Sequence, residues 1–341
     1  MKKVASNSRK SKHNQKRKKR RFKKKTSTYR VRNWSVYHEA LKQRGSLTFW
    51  FCEEVVEKWR YQGPRKRGAQ FHYSDLAIQT ALIFRILFDL PLRQTEGFLQ
   101  SLVKLMGLTL GVPDYSTLSR RQKTLSVDLP RRKNFAPVFV VIDSTGAKVY
   151  GEGEWKVRQH GWSKHRTGRK LHLAVDEETG EILASTLTTN ATIDAHQVEP
   201  LLSKIDRPIT ALSADSAYDK WTVYDTLKNP PHQKVPITPI IPPQHNAKIK
   251  QHGNCKKPPL PRDEAIRAIR KAGRKKWKEQ SGYHRRSIAE TAMARYKRIN
   301  GATLKARTLD RQKVEAEVGC VILNRVDSLG KPDSYPVVVA T

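Results

Sequence analysis

The sequence predicts an α/β protein: a mixed, five-stranded sheet with flanking helices over residues 131–341, preceded by a small helical segment over 31–130 and a basic tail over 1–30. Three observations lead there. Apolar, β-branched runs at 138–142, 170–176 and 181–188 follow one another and read as neighbouring strands. Helix-like and strand-like stretches then alternate, which is the order of a mixed sheet. Residues 74–125 carry helix start and stop signals without a strand-like run between them.

Residues 1–25 contain 14 Lys or Arg and no acid. Such a block cannot bury a core and is expected to be disordered on its own, and to act as a phosphate-binding arm. From Asn33 to Arg60 aromatic and charged residues mix, with Trp34, Tyr37, Trp50 and Trp59. Ser74 then suits the N-cap of a helix over 74–90, whose apolar residues are Leu76, Ile78, Leu82, Ile83, Ile86 and Leu87. Pro91 opens a second helix that runs to about Met106, and Gly107 stops it. Asp114 or Ser116 caps a third, which carries Arg120, Arg121 and Lys123. Helix, turn, basic helix is the order of a helix-turn-helix reader and equally that of a plain helical bundle.

Val138–Ile142 reads as a buried strand that ends on Asp143. Lys170–Asp176 and Glu181–Thr188 form two more strands around the turn 177–180. Asp194 suits a cap for a helix to about Ile205. Ala211–Ala214 is a short strand that ends on Asp215. A helix over 220–227 and a strand over 235–241 follow, then a loop over 242–261 rich in Pro, Lys and Gln. Helices are expected at 263–279, 285–299 and 303–329.

Composition narrows the function. Sixty-seven Lys and Arg against 31 Asp and Glu give a formal charge of +36. A charge that large repels itself unless a polyanion neutralises it, and nucleic acid is the obvious polyanion. No apolar run is long enough to span a bilayer, and the basic N-terminus lacks the apolar core of a secretory signal, so a cytoplasmic, nucleoid-associated protein without membrane partners is expected. Three distant cysteines imply no disulfide framework. His245, His252 and Cys255 lack the paired spacing of a zinc site and read as loop residues.

The chemistry gathers on the helix at 285–299. Tyr283, Arg286, Glu290 and Lys297 have the spacing Y-x2-R-x3-E-x6-K. At about 100° per residue, Arg286, Glu290 and Lys297 share a narrow arc, with Ile288, Ala292 and Ile299 opposite. Alone, Arg286 and Glu290 would be a surface ion pair. Asp143 and Asp215 change that reading, because each ends a strand, where open α/β sheets place their sites. Two strand-end aspartates and one helical glutamate make a hard-oxygen donor set suited to Mg²⁺ or Mn²⁺. A pair of such ions, about 4 Å apart, suits in-line displacement at phosphorus. Asp176, Asp194, Glu152 and Glu154 compete less well, since turns and helix caps explain the first two. Between the first two strands, Lys156, Arg158, Lys164, Arg166 and Arg169 interleave with Trp155 and Trp162, a pattern that grips phosphates and stacks bases.

Val-Ile-Asp143-Ser-Thr-Gly, Ala-Asp215-Ser-Ala-Tyr218-Asp and the Y-x2-R-x3-E-x6-K stretch together resemble the DDE transposases of bacterial insertion sequences, most closely the insertion-sequence-five type. Ser216 and its neighbours depart from the glycines often found there. The resemblance implies an RNase H-like catalytic fold with strand order 3-2-1-4-5 and Asp143, Asp215 and Glu290 as ligands of two metal ions. It implies cleavage at transposon ends, attack of the freed 3′-hydroxyl on target DNA, and a homodimer on double-stranded DNA. Tyr283, Arg286 and Lys297 look like contacts to the DNA ends, and Arg120 and Arg121 fit the helical DNA-reading segment. A non-catalytic DNA-binding regulator, a decayed transposase, or a related RNase H-like nuclease without strand transfer are the alternatives.

Overall fold

The fold is taken from a computed structural model, which describes residues 28–65, 67–68, 70–130, 136–149, 168–252, 256 and 258–337. The basic tail and most of the cationic loop after Asp143 lie outside them. The chain forms two compact units, residues 1–42 with 330–341, and residues 43–329.

In the first unit the two ends of the chain are hydrogen-bonded together. Strand β1 (Thr28–Val31) pairs antiparallel with β8 (Ser334–Val337), Tyr29 opposite Pro336 and Arg30 opposite Tyr335. Asn33 closes the pair at both of its amide atoms: Nδ2 donates to the Lys331 carbonyl at 2.9 Å, and Oδ1 accepts from the Asp333 amide at 2.8 Å. Helix α1 (Trp34–Gln43) follows.

The larger unit is layered. Its sheet contains β2 (Val138–Val149), β3 (Gly168–Asp176), β4 (Ile182–Thr189), β5 (Ile209–Ser213), β6 (Thr238–Ile240) and the two-residue β7 (Thr303–Leu304). The order is β4-β3-β2-β5-β6, with β7 beside the far end of β2. The first three strands of the sheet are antiparallel, while β5 and β6 run parallel to β2. This is the expected 3-2-1-4-5 order of an RNase H-like core. The sixth strand was not expected: residues 303–304 extend the sheet, and the last helix starts only at Leu309.

Alternation along β2 assigns its faces. Val138, Val140 and Ile142 join a core with α7 (Val198–Leu202) and α8 (Trp221–Lys228). Val141 faces the opposite way, with Leu171, Leu173 and Val175 of β3, toward α11 (Ser287–Asn300) and α12 (Leu309–Leu329). Helix α12 is buried on two sides. Ala316, Cys320 and Leu323 pack toward the sheet. Val314, Val318, Val321 and Val326 pack on the helical layer of α2 (Leu47–Trp50), α3 (Glu53–Glu57), α4 (Asp75–Leu87), α5 (Leu92–Leu105) and α6 (Tyr115–Arg121). Gly319 permits that density, because a Cβ there would lie 2.7 Å from the Tyr296 ring.

The expected caps form. Ser74 accepts from the Ala77 amide, and Asp114 from the amides of Ser116 and Thr117. Two expectations fail for local reasons. The helix expected at 263–279 is broken into α9 (Pro261–Ala272) and α10 (Arg274–Gln280) by Gly273, whose φ of +85° suits glycine and ends the first helix. Asp194 does not cap the helix that follows it. Ile193 holds the N-cap position, and Asp194 enters a 3-10 turn over Asp194–Gln197 with its side chain engaged elsewhere.

Candidate functional site

The parallel pairing of β2 with β5 ends at Val141 opposite Ser213. Two residues on, Asp143 and Asp215 leave that register side by side. Strand β2 does not end there; it continues to Val149 against β3, with Asp143 opposite Leu173. The aspartate therefore sits mid-strand, at the notch where the neighbouring parallel strand stops. Its parity matches Val141, so its side chain faces α11 rather than α7.

Helix α11 presents the third carboxylate. A 3-10 turn over Tyr283–Arg286 leads into it. Its buried face is Ala289, Ala292, Met293 and Tyr296; Ile288 and Ile299, expected inside, are half-buried. Arg286 links the elements: one terminal nitrogen donates to Asp143 Oδ2 at 2.6 Å, the other to Glu290 Oε1 at 2.5 Å. Asp143 is 14% exposed and Glu290 58%, so the glutamate stands at the solvent edge of the cleft on the side of Asp143. Tyr283 is buried against Trp277, its ring within 5.7 Å of the Arg286 guanidinium.

Charge at this notch is unbalanced. Burial pushes the Asp143 carboxyl above its ordinary range; the Ser144 amide and Arg286 oppose the shift, while Asp215 and Glu290 add to it. Asp215 is fixed by its own turn, its Oδ1 accepting from the Ala217 amide at 2.8 Å. Three mutually repelling carboxylates with one shared guanidinium make a donor set that fits a hard divalent cation. Among the described residues, however, no three His, Cys, Asp or Glu side chains are gathered tightly enough to hold one, since Arg286 stands between Asp143 and Glu290.

A family model described as "Transposase DDE domain" matches residues 134–325, and a second with the same description matches residues 42–152. The chain belongs to the DDE transposase family. Membership carries a general dependence on divalent metal. Among solved structures, the transposase is similar to a piggyBac transposase in a synaptic complex with hairpin DNA, at 9% identity and a TM-score of 0.37, over 84% of this chain and 73% of that one. A likeness that loose bears on no residue.

The remaining expected DNA contacts of the transposase fall into distinct environments. Lys297 is half-buried, two turns beyond Glu290. Arg120 is exposed on α6. Arg121 is not available to a phosphate: it is 7% exposed, pairs with Asp75 at 2.5 Å, donates to the Tyr73 carbonyl at 2.8 Å and lies over the Phe71 ring. Arg169 is half-buried, with Nε donating to Gln312 Oε1 at 2.7 Å. Lys156, Arg158, Lys164 and Arg166 lie outside the described residues, as does Cys255; His245 and His252 are exposed loop residues. No helix among the described residues is long and apolar enough to cross a membrane.

Two polar clusters escaped sequence reasoning. On the reverse face of β2, Ser144 Oγ donates to Asp194 Oδ2 at 3.0 Å, and Lys170 Nζ donates to Asp194 Oδ1 at 2.8 Å. Burial disfavours charge on Asp194, but the bonds from Lys170 and Ser144 outweigh it and hold the carboxyl below its ordinary range. His172, directly across from Ser144, bonds Thr188 Oγ1 through Nε2 and is fully buried. The second cluster surrounds Asp219, which accepts two bonds from Arg262, one from the Tyr224 hydroxyl and one from the Gln244 amide. The Asp-Ser-Ala-Tyr-Asp run flagged Asp219, but nothing local named Arg262 as its partner.

Proposed function

We propose that this transposase binds the terminal inverted repeats of an insertion sequence as double-stranded DNA, cleaves the ends and joins the 3′-hydroxyl ends to target DNA by two-metal phosphoryl transfer. The observation that supports the reading is the Arg286 link between Asp143 on β2 and Glu290 on α11, with Asp143 and Asp215 each two residues beyond the last β2–β5 pair, Val141 and Ser213. Asp143, Asp215 and Glu290 would hold two Mg²⁺ or Mn²⁺ ions, which when bound activate the attacking oxygen and stabilise the leaving one.

The protein's own groups then do the positioning. The β2–β5 notch sets Asp143 beside Asp215. Arg286, at the mouth of the cleft, is placed to neutralise a phosphate near the reacting bond, and Tyr283 buttresses it from the buried side. Tyr283, Arg286 and Lys297 hold the DNA ends. Arg120 and the helical segment 31–130 meet DNA farther out, and the loop containing Lys156, Arg158, Lys164 and Arg166 grips phosphates beside Asp143. The transposase acts as a homodimer on DNA in the cytoplasm, associated with the nucleoid.

The test uses duplexes carrying the inverted repeats that flank the coding gene. Asp143→Asn, Asp215→Asn and Glu290→Gln should each lower cleavage on the order of a thousandfold or more, about 4 kcal/mol of barrier, with end binding retained. Cleavage that persists in all three variants with Mg²⁺ present would remove the trio. Pre-cleaved ends that are never joined to a target would leave an RNase H-like nuclease instead.

A further inference from the structure

The three carboxylates of the cleft are held by different means. Arg286 bonds Asp143 and Glu290 directly. The Asp215 side chain, among the described residues, is hydrogen-bonded only within its own turn, to the Ala217 amide. Beyond β5, its place depends on what holds that turn. The turn is closed by the Tyr218 amide on the Asp215 carbonyl at 3.2 Å and by the Asp219 amide on the Ser216 carbonyl at 3.3 Å. The Asp219 side chain, fully buried, then attaches the turn to its surroundings. Its Oδ1 accepts from Arg262 Nε at 2.6 Å and from the Tyr224 hydroxyl at 3.1 Å. Its Oδ2 accepts from a terminal nitrogen of Arg262 at 3.0 Å and from the Gln244 amide at 2.8 Å. The Gln244 side chain reaches back to the Ser216 carbonyl at 3.4 Å. From here direct contacts lead to the other side of the cleft. Pro243, beside Gln244, accepts from Arg274 at 2.6 Å at the start of α10. Trp277 of α10 meets the Tyr283 ring at 6.4 Å between centroids, and that ring lies 5.7 Å from the Arg286 guanidinium.

We propose that Asp219, clamped by Arg262, is a positioning residue: it holds the Asp215 turn at a set distance from the Arg286 and Glu290 side of the cleft. The inference rests on the reading of Asp143, Asp215 and Glu290 as the residues that hold the metal ions. One carboxylate here receives four bonds, two of them from the fork of a guanidinium, which is the most rigid attachment that a side chain can offer a turn. Any displacement of the carboxylate would leave buried donors unbonded, so the geometry resists displacement. The same carboxylate fastens the Gln244 amide, and the preceding residue fastens Arg274, so the turn and the support of Tyr283 move together. Precision matters because a shift of about 1 Å in a reacting group can cost about a hundredfold in rate. Asp219 is fully buried, so it acts on the cleft through Asp215 and not by touching DNA.

The experiment uses the full-length chain with Mn²⁺ as the probe, at a temperature where near-ultraviolet circular dichroism shows each variant folded. Mn²⁺ affinity is read by the loss of the free-ion paramagnetic resonance signal, and turnover by Mn²⁺-dependent nicking of supercoiled plasmid. Asp219→Asn and Arg262→Ala should each weaken Mn²⁺ binding about tenfold and lower kcat about tenfold, with KM for plasmid within about twofold. The double variant should be no worse than either single one. Arg262→Lys keeps the charge without the fork and should lose about threefold in both. Arg207→Ala breaks a different buried ion pair, with Asp176 near the start of β2, and controls for stability alone. It should lower Tm while Mn²⁺ affinity and kcat stay within about twofold. Wild-type Mn²⁺ affinity in Asp219→Asn and Arg262→Ala overturns the proposal, as do additive losses or equal losses in Arg207→Ala. A raised KM with unchanged kcat in Arg262→Ala also overturns it, since Arg262 would then be a DNA contact. If Asp219→Asn fails to fold, Arg262→Lys decides, and wild-type Mn²⁺ affinity there overturns the proposal. Full Mn²⁺ binding by Asp143→Asn and Asp215→Asn would instead overturn the metal-ligand reading itself.

Discussion

Arg286 and Asp143 are joined across the cleft by a 2.6 Å ion pair between the turn that opens α11 and the middle of β2, and the same guanidinium holds Glu290 one turn away. One side chain thus sets both the charge of the notch and the approach of the helix to the sheet. Arg286→Ala removes the main side-chain cation that holds the raised Asp143 carboxyl down, so Asp143 should protonate at still higher pH. If Asp143 acts as proposed, the acid limb of the pH–rate profile for cleavage should move upward, because the carboxylate form is then the active one and is lost as pH falls through its pKa. A limb that stays in place, or moves down, would show that Arg286 does not govern Asp143.

Arg120 and Arg121 should separate in experiment although they are neighbours. Arg121→Ala removes a buried partner of Asp75 and a stack on Phe71, and should cost about 2 kcal/mol of stability, seen as a lower Tm. Arg120→Ala should leave Tm in place. If α6 lies on DNA, it should weaken binding and reduce the slope of log affinity against log salt by about one.

His172 predicts an acid-sensitive fold. Burial is the chief cause that lowers its pKa to about 4, with Lys170 adding to the effect and Asp194 opposing it. The unfolded chain takes up a proton near pH 6.5 that the folded chain refuses until about pH 4. Stability from this group is therefore present above pH 6.5 and is lost as pH falls toward 4. Between pH 6.5 and pH 5 the loss should be about 2 kcal/mol. Urea unfolding of wild type and His172→Asn at pH 7 and pH 5 measures it: the wild type should lose more on acidification than the variant, and parallel losses would refute the assignment.

Asp219 carries four hydrogen bonds in a fully buried position, two of them from Arg262. Asp219→Asn strands the guanidinium and should cost about 3 kcal/mol. The loop over residues 242–261 is tied to this point through the Gln244 amide and through Arg262, which also donates to the Lys248 carbonyl at 3.2 Å. That loop should become the first site of cleavage under limited trypsin digestion. Unchanged protection would mean that Asp263, which holds the amides of Lys250 and Gln251, suffices alone.

What the sequence made legible was mostly local. Ser74 and Asp114 bond amides two or three residues away, so their caps follow from spacing. The β-branched run before Asp143 and the i,i+4 relation of Arg286 to Glu290 are likewise short-range facts. What stayed hidden depends on distant partners. Residues 143–149 are polar and small, and only pairing with β3 reveals them as strand. Arg121 looked like one of a basic pair until Asp75, 46 residues earlier, took its charge. Asp194 sits where a cap belongs, yet Ser144, 50 residues away, claims it. Periodicity gives Glu290 a face and not its neighbour; joining it to Asp143 and Asp215 rests on their places at predicted strand ends and on the family resemblance.

Helix α12 has valines on one flank for the helical layer and small residues on the other for the sheet. Neither half of this transposase can therefore be excised without baring a greasy stripe to water. A fragment that begins near residue 131 should precipitate rather than nick DNA, and swapping helical layers between relatives to retarget them would require transplanting the outer flank of α12 along with residues 47–125.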